Sequence, residues 1–189
     1  MPSQSWGEIL TQSATDGPTL TAAARASCIP TANRIVLANN YFEIKKVIRF
    51  TMSGRISCAV TTPGTARLDI CMGSAGTTIV FDTLALPLNI VAKVTVPWQF
   101  SCDLVCRAIG TGTATNFFPT ASFNSEANIG VAVPSANNTG SQFLNVPVGT
   151  PAVGAGMDNS AAPAIDVFFT QTVATGSFTV HNYRVESLN

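Results

Sequence analysis

Charge is what this chain has least of. Ten basic and ten acidic side chains make up only 11% of its 189 residues, against ~25% in an average soluble domain. The two signs cancel and are scattered, with Lys45 and Lys46 the only adjacent pair. That leaves no electropositive footprint for nucleic acid and no basic amphipathic segment for a membrane surface. No apolar run approaches the ~18 residues of a membrane span. The start, MPSQSWGEIL, lacks the basic residues and apolar stretch of a signal peptide, so secretion is not expected.

Chemistry-bearing residues are just as sparse. The single histidine, His181, lies in SFTVHNYRVES with no carboxylate near it in sequence before Glu186, which gives no support for a nucleophile–His site. Five cysteines (28, 58, 71, 102 and 106) are an odd number without CxxC spacing, and with one histidine they make a zinc site improbable. GTGTAT lacks the GK[ST] of a phosphate loop and reads as a turn. MDNSAAPAID has no regular acidic spacing for calcium. Paired carboxylates for glycoside cleavage remain formally available among Glu43, Asp69, Asp82, Asp103, Glu126 and Asp166, but Asp69 and Asp103 fall on outward faces by parity, where solvation accounts for them. The sequon Asn137-Asn138-Thr139 has meaning only in a secreted eukaryotic protein. No enzyme activity, metal or other cofactor is expected.

What the sequence does have is alternation. In AKVTVPWQFSCDLVCRA the even positions from Ala92 to Ala108 are apolar and the odd ones mostly polar, the pattern of a long strand with one dry face. Cys102 and Cys106 then share the inward row. At ~3.4 Å per residue they stand roughly 13 Å apart, too far for a disulfide or one metal ion. In RFTMSGRISCAV the inward row includes Cys58, whereas in ARLDICM Cys71 falls on the other face, so these two should not pair. Five free thiols are predicted, with Cys58, Cys102 and Cys106 acting as small buried hydrophobes.

Strands are predicted at 34–37, 41–44, 47–61, 66–72, 78–84, 91–109, 114–123, 129–133, 142–148, 164–173 and 177–185. The alternation slips at Lys45-Lys46-Val47, which suggests a bulge. Gly54 suggests a bend where the long strand could change sheets. TTPGT, IGTGT and VATGS read as hairpin turns. Residues 1–30 read as an N-terminal arm, with a short strand at 6–11 and a helical patch at TAAARAS, packed either on its own domain or over a neighbour. Residues 31–189 form one domain, in which 124–163 is a loop-rich insertion holding one or two short strands. The expected fold is all-β, a jelly-roll-like antiparallel β-sandwich. Among Tyr41, Phe42, Phe117, Phe118, Phe143 and Tyr183, core plugging is favoured over sugar stacking.

The blocks SGRISCAVTTPGTARLDICMG (53–73), IVFDTLAL (79–86), CRAIGTGTATNFF (106–118) and DVFFTQTVATGSFTVHNYRVE (166–186), with the SWGEIL start, resemble a group of tailed-bacteriophage structural proteins over nearly the full length. The resemblance implies a virion protein assembled in the host cytoplasm, decorating or cementing the head, or else part of the tail, and carries over no catalytic residue. Low charge agrees with a surface covered by copies or partners. The expected partners are copies of itself, a trimer preferred, and the major capsid protein or other virion proteins. Nucleic acid, membrane and small-molecule substrate are not expected. Trp6, Ile9, Leu10, Phe143 and Leu144 are the candidate assembly contacts. The alternative is a receptor- or carbohydrate-binding module of a tail or head fibre, which predicts an exposed aromatic flanked by polar groups.

Overall fold

A computed structural model describes residues 7–59, 62–74, 76–128, 143–147, 149–150 and 152–188. Twelve strands carry it: β1 (Gly7–Gln12), β2 (Arg25–Ser27), β3 (Ile35–Val36), β4 (Val47–Cys58), β5 (Thr65–Met72), β6 (Thr78–Asp82), β7 (Leu86–Pro87), β8 (Lys93–Ala108), β9 (Asn116–Ser125), β10 (Phe143–Val146), β11 (Ala164–Gln171) and β12 (Ser177–Leu188). Sheet A has the order β1-β12-β4-β8-β9-β10, and sheet B the order β2-β11-β5-β6, with β3 on β11 and β7 on β5. All pairings are antiparallel. The expected β-sandwich is what the chain forms. Its jelly-roll-like feature is a folded ribbon: β4 pairs β12 in one sheet and β5 pairs β11 in the other, so the β4–β5 and β11–β12 connections arch together from sheet to sheet.

One core lies between the sheets. The inward rows Ile48, Phe50, Met52 and Ile56 of β4 and Trp98, Phe100, Cys102, Leu104 and Cys106 of β8 meet Leu68, Ile70, Val167 and Phe169 of sheet B. Each large apolar side chain so buried contributes about 1.5–3 kcal/mol. At its centre four rings run from sheet to sheet: Phe123 stacks on Trp98 (5.8 Å), Trp98 on Phe178 (4.5 Å) and Phe178 on Phe169 (3.8 Å). All five cysteines are buried and free. Cys71 does lie on the opposite side of its sheet from the core, where Arg25 Nη2 donates to its Sγ at 2.9 Å.

Gly54 does not carry β4 into the second sheet, because β4 stays in sheet A throughout. Its role is clearance, since a Cβ there would stand 1.9 Å from the Thr179 carbonyl oxygen. The slip at Lys45 is a bulge in which Lys45 N–H donates to the Cys106 carbonyl and Cys106 N–H to the Lys46 carbonyl, with Lys45 at φ 78. Residues 41–44 therefore form the approach to a turn and not a strand. A second bulge lies in the long strand itself: Ile56 pairs Val96 and Cys58 pairs Lys93, leaving Val94 and Thr95 opposite Ser57. Parity reverses there, so Val94, expected inward, faces solvent.

Only one of the three Gly/Thr turns makes a hairpin, IGTGT between β8 and β9. TTPGT and VATGS join strands of different sheets. Turn residues specify a reversal of direction; whether the next strand pairs or crosses is set by tertiary packing. TAAARAS forms no helix. It leads into β2, because Arg25–Ser27 finds backbone partners on β11, and a short alanine-rich patch gains too little from a helix alone to compete. Residues 7–28 pack on their own domain: β1 edges sheet A and β2 edges sheet B. Within the loop-rich span, β10 pairs β9, and residues 152–157 lie between β9 and β6 through Gly154 N–H to Phe117 and Ala155 N–H to Ile79. The expected strand at 129–133 lies outside the described residues.

Candidate functional site

The two sheets turn very different outer faces to the surroundings. On sheet B, Asp69 is only 1% exposed although it points away from the core, because guanidinium groups cover it. Arg25 Nε donates to Asp69 at 2.8 Å and Arg67 Nε at 3.0 Å, and Arg67 also grips Asp82. Asp166 accepts from the Ser27 hydroxyl at 2.5 Å and pairs with Arg34 at 3.4 Å. Solvation therefore does not account for Asp69; an ion ladder does. Asp103 is half-exposed, bound in both oxygens by Arg49 at 2.7 and 2.8 Å. Asp69 and Asp82 are cross-strand neighbours, yet Asp69 spends its oxygens on Arg25 and Arg67, and Asp82 accepts from Arg67 with both of its own. The ladder is structural.

Sheet A presents rows. Reading across β12, β4, β8, β9 and β10, one row is Asn182, Ser53, Gln99, Asn124 and Phe143, and the next is Arg184, Thr51, Ser101, Ser122 and Asn145. The third is ionic, with Glu186, Arg49 and Asp103, and the fourth is apolar, with Leu188, Val47, Val105 and Phe118. A hollow of about 290 Å³ lies over the first two rows, lined by Thr51, Ser53, Gln99, Ser101, Ser122, Asn124 and Phe143. Beside it a second, about 270 Å³, is lined by Pro97, Gln99, Asn124, Ser125 and Glu126.

Exposed apolar side chains gather near the ends of the sandwich. Ile90, Val91 and Val94 are 54, 63 and 74% exposed within five positions of the chain. Val94 is held out by Thr95 at φ 51, a conformation that costs a β-branched residue about 1–3 kcal/mol. At the opposite end Val36, Ile44 and Ile109 are exposed.

Of the candidate contacts, Ile9 and Phe143 are half exposed, whereas Leu144 points into the core and Leu10 packs against it, so those two offer little to a partner. Trp6 and the sequon at Asn137 lie outside the described residues. Among the aromatics, Phe42, Phe117 and Tyr183 are buried, as core plugging requires. His181 is the extra residue of a bulge in β12, and its Nδ1 lies 2.9 Å from Asp16, a carboxylate distant in sequence. Among the described residues no cluster of His, Cys, Asp and Glu could hold a metal ion, and no helix is long and apolar enough to cross a membrane. Burial pushes the Cys71 thiol up to about 11 and Cys28 and Cys102 well above the ordinary range, so these are inert groups. Sequence parity missed Val94, since no residue in KVTVP announces a bulge. Compared with known protein families, curated proteins and solved structures, the chain matches none.

Proposed function

We propose that this chain is a non-enzymatic structural protein of a bacteriophage virion, a decoration or cement component of the head, acting as a homo-oligomer against the major capsid protein. The observation that carries the proposal is the exposed apolar trio Ile90, Val91 and Val94, one member of which is kept in water by a strained backbone at Thr95. Strain of this kind persists where the surroundings over-determine it, and it clusters at sites of contact. Support also comes from the charges: ten ionic groups, in the sheet B ladder, the Arg49–Asp103 pair and an Arg184–Glu186 pair, are already spent on one another, which leaves little repulsion to oppose close packing of copies. The mechanism is interface burial, in which each contact adds area that must be exposed again before a shell can rupture.

The test is sedimentation and particle binding by the double variant Val91→Asp with Val94→Asp. Both positions are exposed, so the thermal unfolding of the variant should match the wild type. Wild type is expected to sediment as an oligomer and to co-sediment with capsids lacking it, and the variant as a monomer that stays in the supernatant. A wild type that remains monomeric at high concentration and ignores capsids would refute the proposal.

A further inference from the structure

The outer face of sheet A has a feature that assembly does not require. The side chains of Ser53, Gln99, Ser101, Ser122 and Asn124 stand in two adjacent rows, and among the described residues none of them hydrogen-bonds to another protein group. Their hydrogen-bonding capacity is met by water in the free protein and can be transferred to a ligand. Among the described residues of the two rows the one charge is Arg184, at the β12 end, and it pairs with Glu186 of the next row, where Arg49 and Asp103 also neutralise each other. The two hollows share Gln99 and Asn124, so they form one trough that runs from Phe143 toward Glu126. At ~4.8 Å per strand the trough spans roughly 14 Å from β4 to β10.

We infer that this trough is a binding site for a neutral oligosaccharide chain. A ligand that fits must carry no formal charge, because the charges at the margins of the trough, Arg184 and Glu126, are already paired with Glu186 and Lys93. It must offer many hydroxyls, since the rows present both donors and acceptors in amides and hydroxyl groups. It must have an apolar face for the half-exposed ring of Phe143 at the rim. It must also be extended, given a shallow channel and not a closed pocket. A sugar polymer meets all four conditions. A protein partner meets them poorly, because the centre of a protein interface is apolar and well packed, whereas the centre of this trough is Gln99, Ser101 and Asn124. The inference does not depend on the assembly proposal, since the apolar trio lies on the β7–β8 loop and at the start of β8, outside these rows.

Titration of the full chain with neutral cello-, malto- and N-acetyl-chito-hexasaccharides, followed by amide NMR and calorimetry, tests it. At least one probe should bind and shift the side-chain amide signals of Gln99 and Asn124. The double variant Gln99→Ala with Asn124→Ala should weaken that binding by about tenfold or more, as the loss of two net hydrogen bonds implies. Its melting temperature should be unchanged, because both side chains are exposed. Phe143→Ala should weaken binding independently. No binding by any of the probes, or binding that the double variant leaves intact, overturns the inference. So does a concentration-dependent shift of the same amides without sugar, which would make the face an interface between copies.

Discussion

The outer faces of the two sheets solve opposite problems with the same backbone geometry. Sheet B concentrates Arg25, Arg34, Arg67, Asp69, Asp82 and Asp166 in a ladder that crosses four strands. Sheet A spreads hydroxyls and amides over an area of similar shape and leaves them unspent. On sheet B each member of the ladder has a partner within the fold, so removing one leaves another stranded. On sheet A the partners lie outside, so removal costs the fold little. A chain with 11% charged residues therefore ties the edge strand β2 down with ions on sheet B and, on sheet A, gathers its charges into the pairs Arg49–Asp103 and Arg184–Glu186 beside the neutral rows. The comparison separates what stabilises this protein from what it has available for recognition.

The largest effect should come from removing residues 1–30. This deletes β1 and β2 together with the buried Cys28 and Ile29, and takes Arg25 and Ser27 away from Asp69 and Asp166. The truncated chain should lose its cooperative thermal transition and the dispersion of its amide spectrum. Removing residues 1–12 alone takes only the edge strand of sheet A and should leave a folded, less stable domain. A truncation of 1–30 that kept the native spectrum would show that the ladder is ornamental and that these residues act only as an arm.

Next in size is a matched pair of substitutions. Asp69→Ala removes a buried carboxylate that accepts from two arginines and should cost about 2–3 kcal/mol in urea unfolding. The combined Ser101→Ala and Ser122→Ala change on sheet A should stay within about 0.5 kcal/mol per site. Equal losses on the two faces would erase the distinction drawn between them.

Most of the framework was legible in the sequence because it rests on side-chain parity. Strands β4, β8, β9, β11 and β12 read directly from alternation, and so did the separation of Cys58 from Cys71, which needs only that neighbouring residues face opposite ways. What parity cannot register is a residue inserted without a chemical signature. Val94 and His181 sit at bulges formed by ordinary residues, and each reverses the faces beyond it. Lys45 could be found because two lysines interrupt an apolar row. The ladder was illegible for another reason. Asp69 pairs with Arg25, 44 residues away, and that meeting depends on whether TTPGT makes a hairpin or an arch, which composition alone does not decide. The trough is a similar case: Gln99 and Asn124 each look like solvated strand residues until register sets them side by side.

The smallest effect, and the sharpest probe of the ladder, is its pH dependence at Asp166. Burial pushes this carboxyl above the ordinary carboxylate range, and the Ser27 hydroxyl, Arg34 and the Val167 N–H offset that only in part. A carboxyl whose pKa is higher in the folded state holds its proton more tightly there. Its contribution is thus fully present below the unfolded value of ~3.9 and is lost as pH rises through the folded one. Asp166→Asn keeps the shape and an acceptor for Ser27 but cannot titrate. On moving from pH 7 to pH 4, the melting temperature of the wild type should therefore improve relative to that of Asp166→Asn. If the wild type instead loses ground to the variant on acidification, attraction to Arg34 outweighs desolvation, and the ladder stabilises sheet B through its charges more than through the groups it buries.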